Sequence, residues 1–178
     1  MKGFSFSGSE RNRMFLNREG EFQDVSLTSG VDFLEDGRGF AVADFNKDGR
    51  LDLGIISNQK PRFRIAQLNT AHPSSDDSAE KYVKVRLIGG NHTNKANPKL
   101  SPRDPVGATL IAKTGNSTRM FQLSIGDGFS AQNSRTVHIG LGEAPQIDEL
   151  TIHWPSGRTT AKTGIMVGSK VEIFETEN

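Results

Sequence analysis

The chain has 178 residues, 34% of them hydrophobic, with 22 basic and 21 acidic side chains and no cysteine. That length suits one large or two small domains, and the lack of cysteine rules out disulfides, thiolate metal ligands and cysteine nucleophiles. A net charge of +1 with no basic block argues against a nucleic-acid binder, and no apolar run approaches the roughly 18 residues of an ordinary membrane-spanning helix.

The opening residues Met1-Lys2-Gly3-Phe4 carry no long apolar core and do not read as a signal peptide. The chain is therefore expected to be cytoplasmic, or else a mature form or fragment of an exported protein. Met14 to Asn17 and Phe22 to Leu27 are predicted to form a hairpin across the turn Arg18-Glu19-Gly20-Glu21. Phe40 to Asp44, Leu51 to Ile56 and Arg62 to Asn69 are three further short strands joined by polar turns. Thr70 to Ala79 holds Pro, Ser and Asp but no large apolar residue, and reads as a linker. It divides the chain into domains at 1–72 and 81–178.

The second part opens with an alternating strand, Tyr82 to Ile88, followed by a long polar insertion from Gly89 to Pro105. Gly107 to Lys113, Ser117 to Ile125, Thr136 to Leu141, Glu149 to Trp154 and Lys170 to Phe174 are the remaining predicted strands. Gly115-Asn116 and Pro155-Ser156-Gly157-Arg158 mark turns. No stretch of this part sustains a period of 3.6 residues. The fold class expected is all-β: a short propeller-blade-like antiparallel sheet followed by a β-sandwich-like domain.

One run carries chemistry. In Asp44-Phe45-Asn46-Lys47-Asp48-Gly49-Arg50-Leu51-Asp52, oxygen-bearing side chains stand at positions 1, 3, 5 and 9 of nine residues. Hard cations take six to eight oxygens on a tightly curled backbone, and Gly49 permits that curl. The expected Ca²⁺ ligands are Asp44, Asn46, Asp48 and Asp52, with the Arg50 carbonyl at position 7. The flanks read as strands and the twelfth place falls on Ile55, so this is no EF-hand. The competing account is a metal-free acidic hairpin turn at Asp48-Gly49.

A second polar cluster, Gly126 to Ser134, offers Asp127, Ser130, Gln132 and Asn133 around Phe129 as a possible ligand groove. The plainer account, and the favoured one, is a glycine-shaped connection whose side chains cap backbone groups. His138 and His153 have no His or Cys partner at ligand spacing, and Ser124, Ser130 and Ser134 lack a nucleophile-elbow context. No catalytic constellation emerges; Asp127 and Asp148 are the acids to inspect first. Asn91-His92-Thr93 and Asn116-Ser117-Thr118 match the acceptor pattern for N-glycosylation, which matters in a eukaryotic secretory setting.

Arg13 to Asn17, Phe22 to Val25, Gly37 to Gly39 and Ala43 to Leu53 together resemble the FG-GAP or VCBS-type repeat. That resemblance implies a β-propeller blade with a calcium-binding acidic loop. Tyr82 to Leu87, Val106-Gly107-Ala108, Gly126 to Gln132, His138 to Gly142 and Asp148 to Arg158 resemble the ASPIC/UnbV domain, the C-terminal module of cartilage acidic protein-like proteins. The pair implies an extracellular, periplasmic or cell-surface protein and no reaction. The residues before Lys81 make about one blade plus a hairpin, short of the roughly four to eight that close a propeller. The expected function is a non-catalytic, calcium-stabilised structural or adhesion/binding module of an exported protein, with a protein or glycan partner; a monomer is favoured, with a homo-oligomer as the alternative. A carbohydrate-binding module is the alternative, and a hydrolytic domain comes third.

Overall fold

The computed structural model describes residues 10–67, 81–126 and 131–176. Among these the fold is all-β, with twelve strands and one four-residue helix. The chain divides into two compact units, one of residues 1–70 with 126–133 and one of residues 71–125 with 134–178. The expected linker, Thr70 to Ala79, lies outside the described residues.

The first unit begins with the hairpin β1 (Phe15–Arg18) and β2 (Glu21–Asp24). Glu19 and Gly20 both take left-handed φ values, 55° and 95°, as a two-residue hairpin turn requires. The second strand stops at Asp24, short of the predicted Leu27. Its carboxylate accepts the N–H of Ser26 at 2.9 Å, turning the backbone out of the strand. The helical turn α1 (Ser26–Ser29) follows, and Gly30 closes it at φ 71°.

Three antiparallel strands then form a meander: β3 (Gly37–Ala43), β4 (Asp52–Ser57) and β5 (Phe63–Ala66), with β4 in the centre. Gly54 sits mid-sheet. A Cβ there would stand 3.2 Å from the Phe45 ring and 3.3 Å from that of Phe63, so glycine lets both rings lie across β4. The Ser57 hydroxyl lies 2.8 Å from the Gln59 carbonyl and 2.7 Å from that of Pro61, at the β4–β5 turn. Among the described residues of this unit Val31 is the buried large apolar one; Phe15, Phe22, Phe40 and Phe63 are each more than half exposed.

The second unit is built on β6 (Tyr82–Ile88), β7 (Thr109–Thr114), β8 (Ser117–Gln122), β9 (Thr136–Gly140), β10 (Gln146–His153), β11 (Thr159–Met166) and β12 (Lys170–Phe174). One sheet runs β11-β10-β7-β8 and is antiparallel throughout. The other runs β12-β6-β9, with β12 parallel to β6 and β9 antiparallel to it. Alternate residues Val83, Val85 and Leu87 point inward from β6, and they pack in one core with Leu110, Ile139, Leu150, Ile152 and Ile173. Residues from both sheets share that core, which makes the unit sandwich-like. Trp154 is buried in it, and its indole N–H donates to Thr160 Oγ1 at 2.8 Å. The strand β11 is absent from the sequence reading. Thr-Thr-Ala-Lys-Thr-Gly offers no alternating apolar face, because β11 is a largely exposed edge strand.

Candidate functional site

Ala43 and Asp52 pair across β3 and β4, so the acidic run is the connection between two neighbouring strands. Its backbone turns through left-handed φ at Lys47 (64°) and Gly49 (88°). The side chains fold back on this backbone. Asp44 Oδ2 accepts the Gly49 N–H at 3.2 Å, and Asp52 Oδ2 accepts that of Phe45 at 3.0 Å. Asn46 Oδ1 accepts the Asp48 N–H at 3.1 Å, and Asp48 Oδ1 accepts that of Arg50 at 2.9 Å. Asp52 is 1% exposed, so its carboxylate is buried at the root of the loop.

Asp48 takes several further partners. Its Oδ2 receives Asn46 Nδ2 at 2.8 Å and the Arg50 guanidinium at 3.1 Å. The Arg50 backbone N–H, the Asn46 amide and then the Arg50 side chain hold its carboxyl below the usual aspartate range. The donor set suits a hard divalent cation, since Asp44, Asn46, Asp48, Asp52 and the Arg50 carbonyl all offer oxygen atoms. Their arrangement differs from a closed metal shell. Among the described residues no three His, Cys, Asp or Glu side chains converge on one point. Asp48 is turned toward Arg50, a cationic partner within its own loop.

The second predicted site is only partly described. Asp127, Phe129 and Ser130 lie outside the described residues. Gln132 is exposed. Asn133 Oδ1 accepts the Val42 N–H at 2.7 Å, so that side chain caps the backbone of β3 within the first unit. Asp148 is likewise engaged: it accepts Gln146 Nε2 at 3.0 Å and the Gly115 N–H at 2.7 Å, and these bonds, the Gln146 amide first, lower its pKa. His138 stacks on Tyr82 with ring centroids 4.5 Å apart, and His153 Nδ1 lies 3.2 Å from Thr159 Oγ1.

Sequence reasoning missed Glu175, a carboxylate that is 4% exposed. It accepts the N–H groups of Gly90 at 3.0 Å and Ser101 at 2.7 Å, together with the Ser156 hydroxyl. It lines an open cavity of about 530 Å³ together with His92, Lys95 and Asn97. Nothing in Phe174-Glu175-Thr176 distinguishes this acid locally. In the first unit, Glu35 pairs with Arg64, whose guanidinium also lies 4.4 Å from the centre of the Phe33 ring.

Residues 4–55 match the family model described as an FG-GAP-like repeat, and residues 98–178 match that described as ASPIC and UnbV. The first match includes the acidic loop from Asp44 to Asp52. Cartilage acidic protein 1 of Homo sapiens is 32% identical over 111 residues, 61% of this chain and 14% of that protein. The Xenopus tropicalis protein of the same name is 39% identical over 61 residues, 33% of this chain and 9% of its own length. The chain thus spans a small part of the relatives it matches. Its first part is similar to an FG-GAP-like repeat, its second to an ASPIC and UnbV domain, and the chain is similar to cartilage acidic protein 1.

Proposed function

We propose that this chain is a non-catalytic, calcium-stabilised binding or structural module of an exported protein. The observation that carries the reading is the acidic loop. Five oxygen donors at the spacing of a calcium loop join two paired strands, inside the segment that matches the FG-GAP-like repeat. The similarity to cartilage acidic protein 1 supports an extracellular setting. Among the described residues no helix is long and apolar enough to cross a membrane.

On this reading Asp44, Asn46, Asp48, Asp52 and the Arg50 carbonyl hold the ion. The ion supplies the positive charge that Asp48 otherwise takes from Arg50, and it draws in the loop carboxylates. The role is structural: the ion fixes the β3–β4 connection in a unit whose described residues bury little large apolar surface. The partner is a protein or a glycan, met through contact rather than chemistry.

Extracellular calcium modules bind at about 10⁻⁴ to 10⁻³ M, so the test is a calcium titration through that range after exhaustive chelation. An ion present at about a hundred times its dissociation constant adds roughly 2.7 kcal/mol to the state that binds it. The melting temperature of the first unit should rise with calcium, and Asp48→Ala should abolish most of the rise. Coincident melting curves with calcium and with chelator, from metal-free protein, would sink the proposal.

A further inference from the structure

The two acceptor patterns, Asn91-His92-Thr93 and Asn116-Ser117-Thr118, are placed in opposite ways by the structure. Asn91 is an internal brace. Its Nδ2 donates to the carbonyls of Asn97 at 2.9 Å and Leu100 at 2.8 Å, and its Oδ1 accepts the Asn97 N–H at 2.6 Å. These three bonds close residues 91–100 into an ordered loop. A sugar on Nδ2 would replace one of the donated hydrogens and press a bulky polar group against the loop backbone.

Asn116 stands at the tip of the β7–β8 hairpin. Thr114 pairs with Ser117 below it, and Gly115 takes φ 54° at the first central position of the turn. The turn is anchored through backbone, by the Gly115 N–H donating to Asp148 Oδ2 at 2.7 Å, so the Asn116 carboxamide carries none of its structure. Asn116, Ser117 and Thr118 are all exposed. A Cβ built on Gly115 meets nothing within 4 Å, so the space around the tip is open.

We infer that Asn116 is an N-glycosylation acceptor, and that Asn91 cannot carry a glycan in the folded protein. The donor is a lipid-diphosphate-linked oligosaccharide. Asn116 Nδ2 forms a bond to the anomeric carbon while the bond from that carbon to the diphosphate oxygen breaks. The lipid diphosphate leaves with the electron pair, and the amide gives up one proton. Thr118 supplies the hydroxyl two places on that the acceptor pattern requires. The inference rests on the export reading, which supplies the compartment where such donors are used.

The test uses the full chain behind a cleavable secretion leader in a eukaryotic host. The leader imposes export, so the outcome bears on the site and not on the natural location or on calcium. Intact mass is measured before and after peptide-N-glycosidase, which leaves an aspartate where the sugar stood, and a peptide map locates it. The expected result is one glycan per secreted chain, lost in Asn116→Gln and in Thr118→Ala. It should be retained in Thr93→Val, which removes the first acceptor pattern without touching the Asn91 carboxamide. A secreted wild-type chain without sugar would overturn the inference, as would sugar that survives Asn116→Gln and disappears in Thr93→Val.

Discussion

Replacing Glu175 tests how the second unit holds its long loop. One carboxylate receives Gly90 N–H, Ser101 N–H and the Ser156 hydroxyl, and Ser156 in turn donates its N–H to Ser101 Oγ at 3.2 Å. Three stretches far apart in sequence therefore meet on a group that is 4% exposed. Glu175→Ala leaves two backbone donors without their acceptor, at about 1–3 kcal/mol each, so the loss should be about 2–6 kcal/mol. Glu175→Gln keeps one carbonyl oxygen for the two amides and removes the charge, which should cost about 1–2 kcal/mol. Trp154 is the single tryptophan and is buried in the core of this unit, so its fluorescence reports the unfolding directly. The pH dependence has a definite sign. Burial pushes the Glu175 carboxyl up, but the Ser156 hydroxyl and the Gly90 and Ser101 amides together hold it below the ordinary value of 4.5. A carboxylate lowered in the folded state contributes fully above its unfolded pKa, and that contribution fades as the pH falls below it. The gap between wild type and Glu175→Gln should accordingly narrow on acidification. Equal urea midpoints for the three proteins at neutral pH, or a gap that widens in acid, would refute this account of the loop.

Gly89→Ala should be severe, because a Cβ there would lie 1.9 Å from the Pro102 carbonyl oxygen; such overpacking costs about 3 kcal/mol or more. Gly140→Ala is its control, with no atom within 4 Å of the new carbon, and its urea midpoint should match wild type. We further propose that residues 81–178 fold alone, since the hydrophobic core cluster lies wholly within them. A protein starting at Lys81 should give a dispersed amide spectrum and a cooperative urea transition; a collapsed spectrum would count decisively against its independence.

Much of the architecture was legible wherever one face of a strand is buried. Tyr82 to Ile88 alternates in sequence, and the strand has those bounds because Val83, Val85 and Leu87 enter the core. The signal fades where burial fades: β11, with Thr159, Lys162 and Thr163 exposed, has the same backbone pairing and no pattern to reveal it. Side-chain capture of backbone groups is also invisible to periodicity. Asp24 ends a strand that its neighbours would extend, and Asn91 and Glu175 order a loop that reads as featureless polar sequence. The acidic loop shows the limit from the other side. Its donors were legible in their spacing, yet the pairing of Asp48 with Arg50 depends on how the chain curls at Lys47 and Gly49. Asn133 bonds to a residue 91 positions away, and no local reading reaches that far.

The two units are held in different ways, and this decides where calcium should act. The second has a closed apolar core. Among its described residues the first buries Val31 and little else that is large and apolar, leaving Phe15, Phe22, Phe40 and Phe63 substantially exposed. Of its ion pairs, Arg11 with Asp32 and Arg13 with Asp24 join exposed arginines and are screened by water, while Arg38 with Asp36 and Arg64 with Glu35 engage buried or half-buried carboxylates. A meander whose described strands bury so little large apolar surface gains most from whatever fixes the connection between its central strand and its neighbour. The loop stands there, with Asp52 buried at its root and the Phe45 ring lying across Gly54. An ion gathered by Asp44, Asn46, Asp48 and Asp52 would lock Phe45 over the sheet as well as the loop itself. Hydrogen exchange with and without calcium reads this directly. Protection should rise at the β3 and β4 amides, with the largest gain nearest Asp52, while the core amides of β6 and β10 should stay as they were. Slowing spread evenly over both units, or none at β3 and β4, would show that the acidic loop does not act as a local calcium staple.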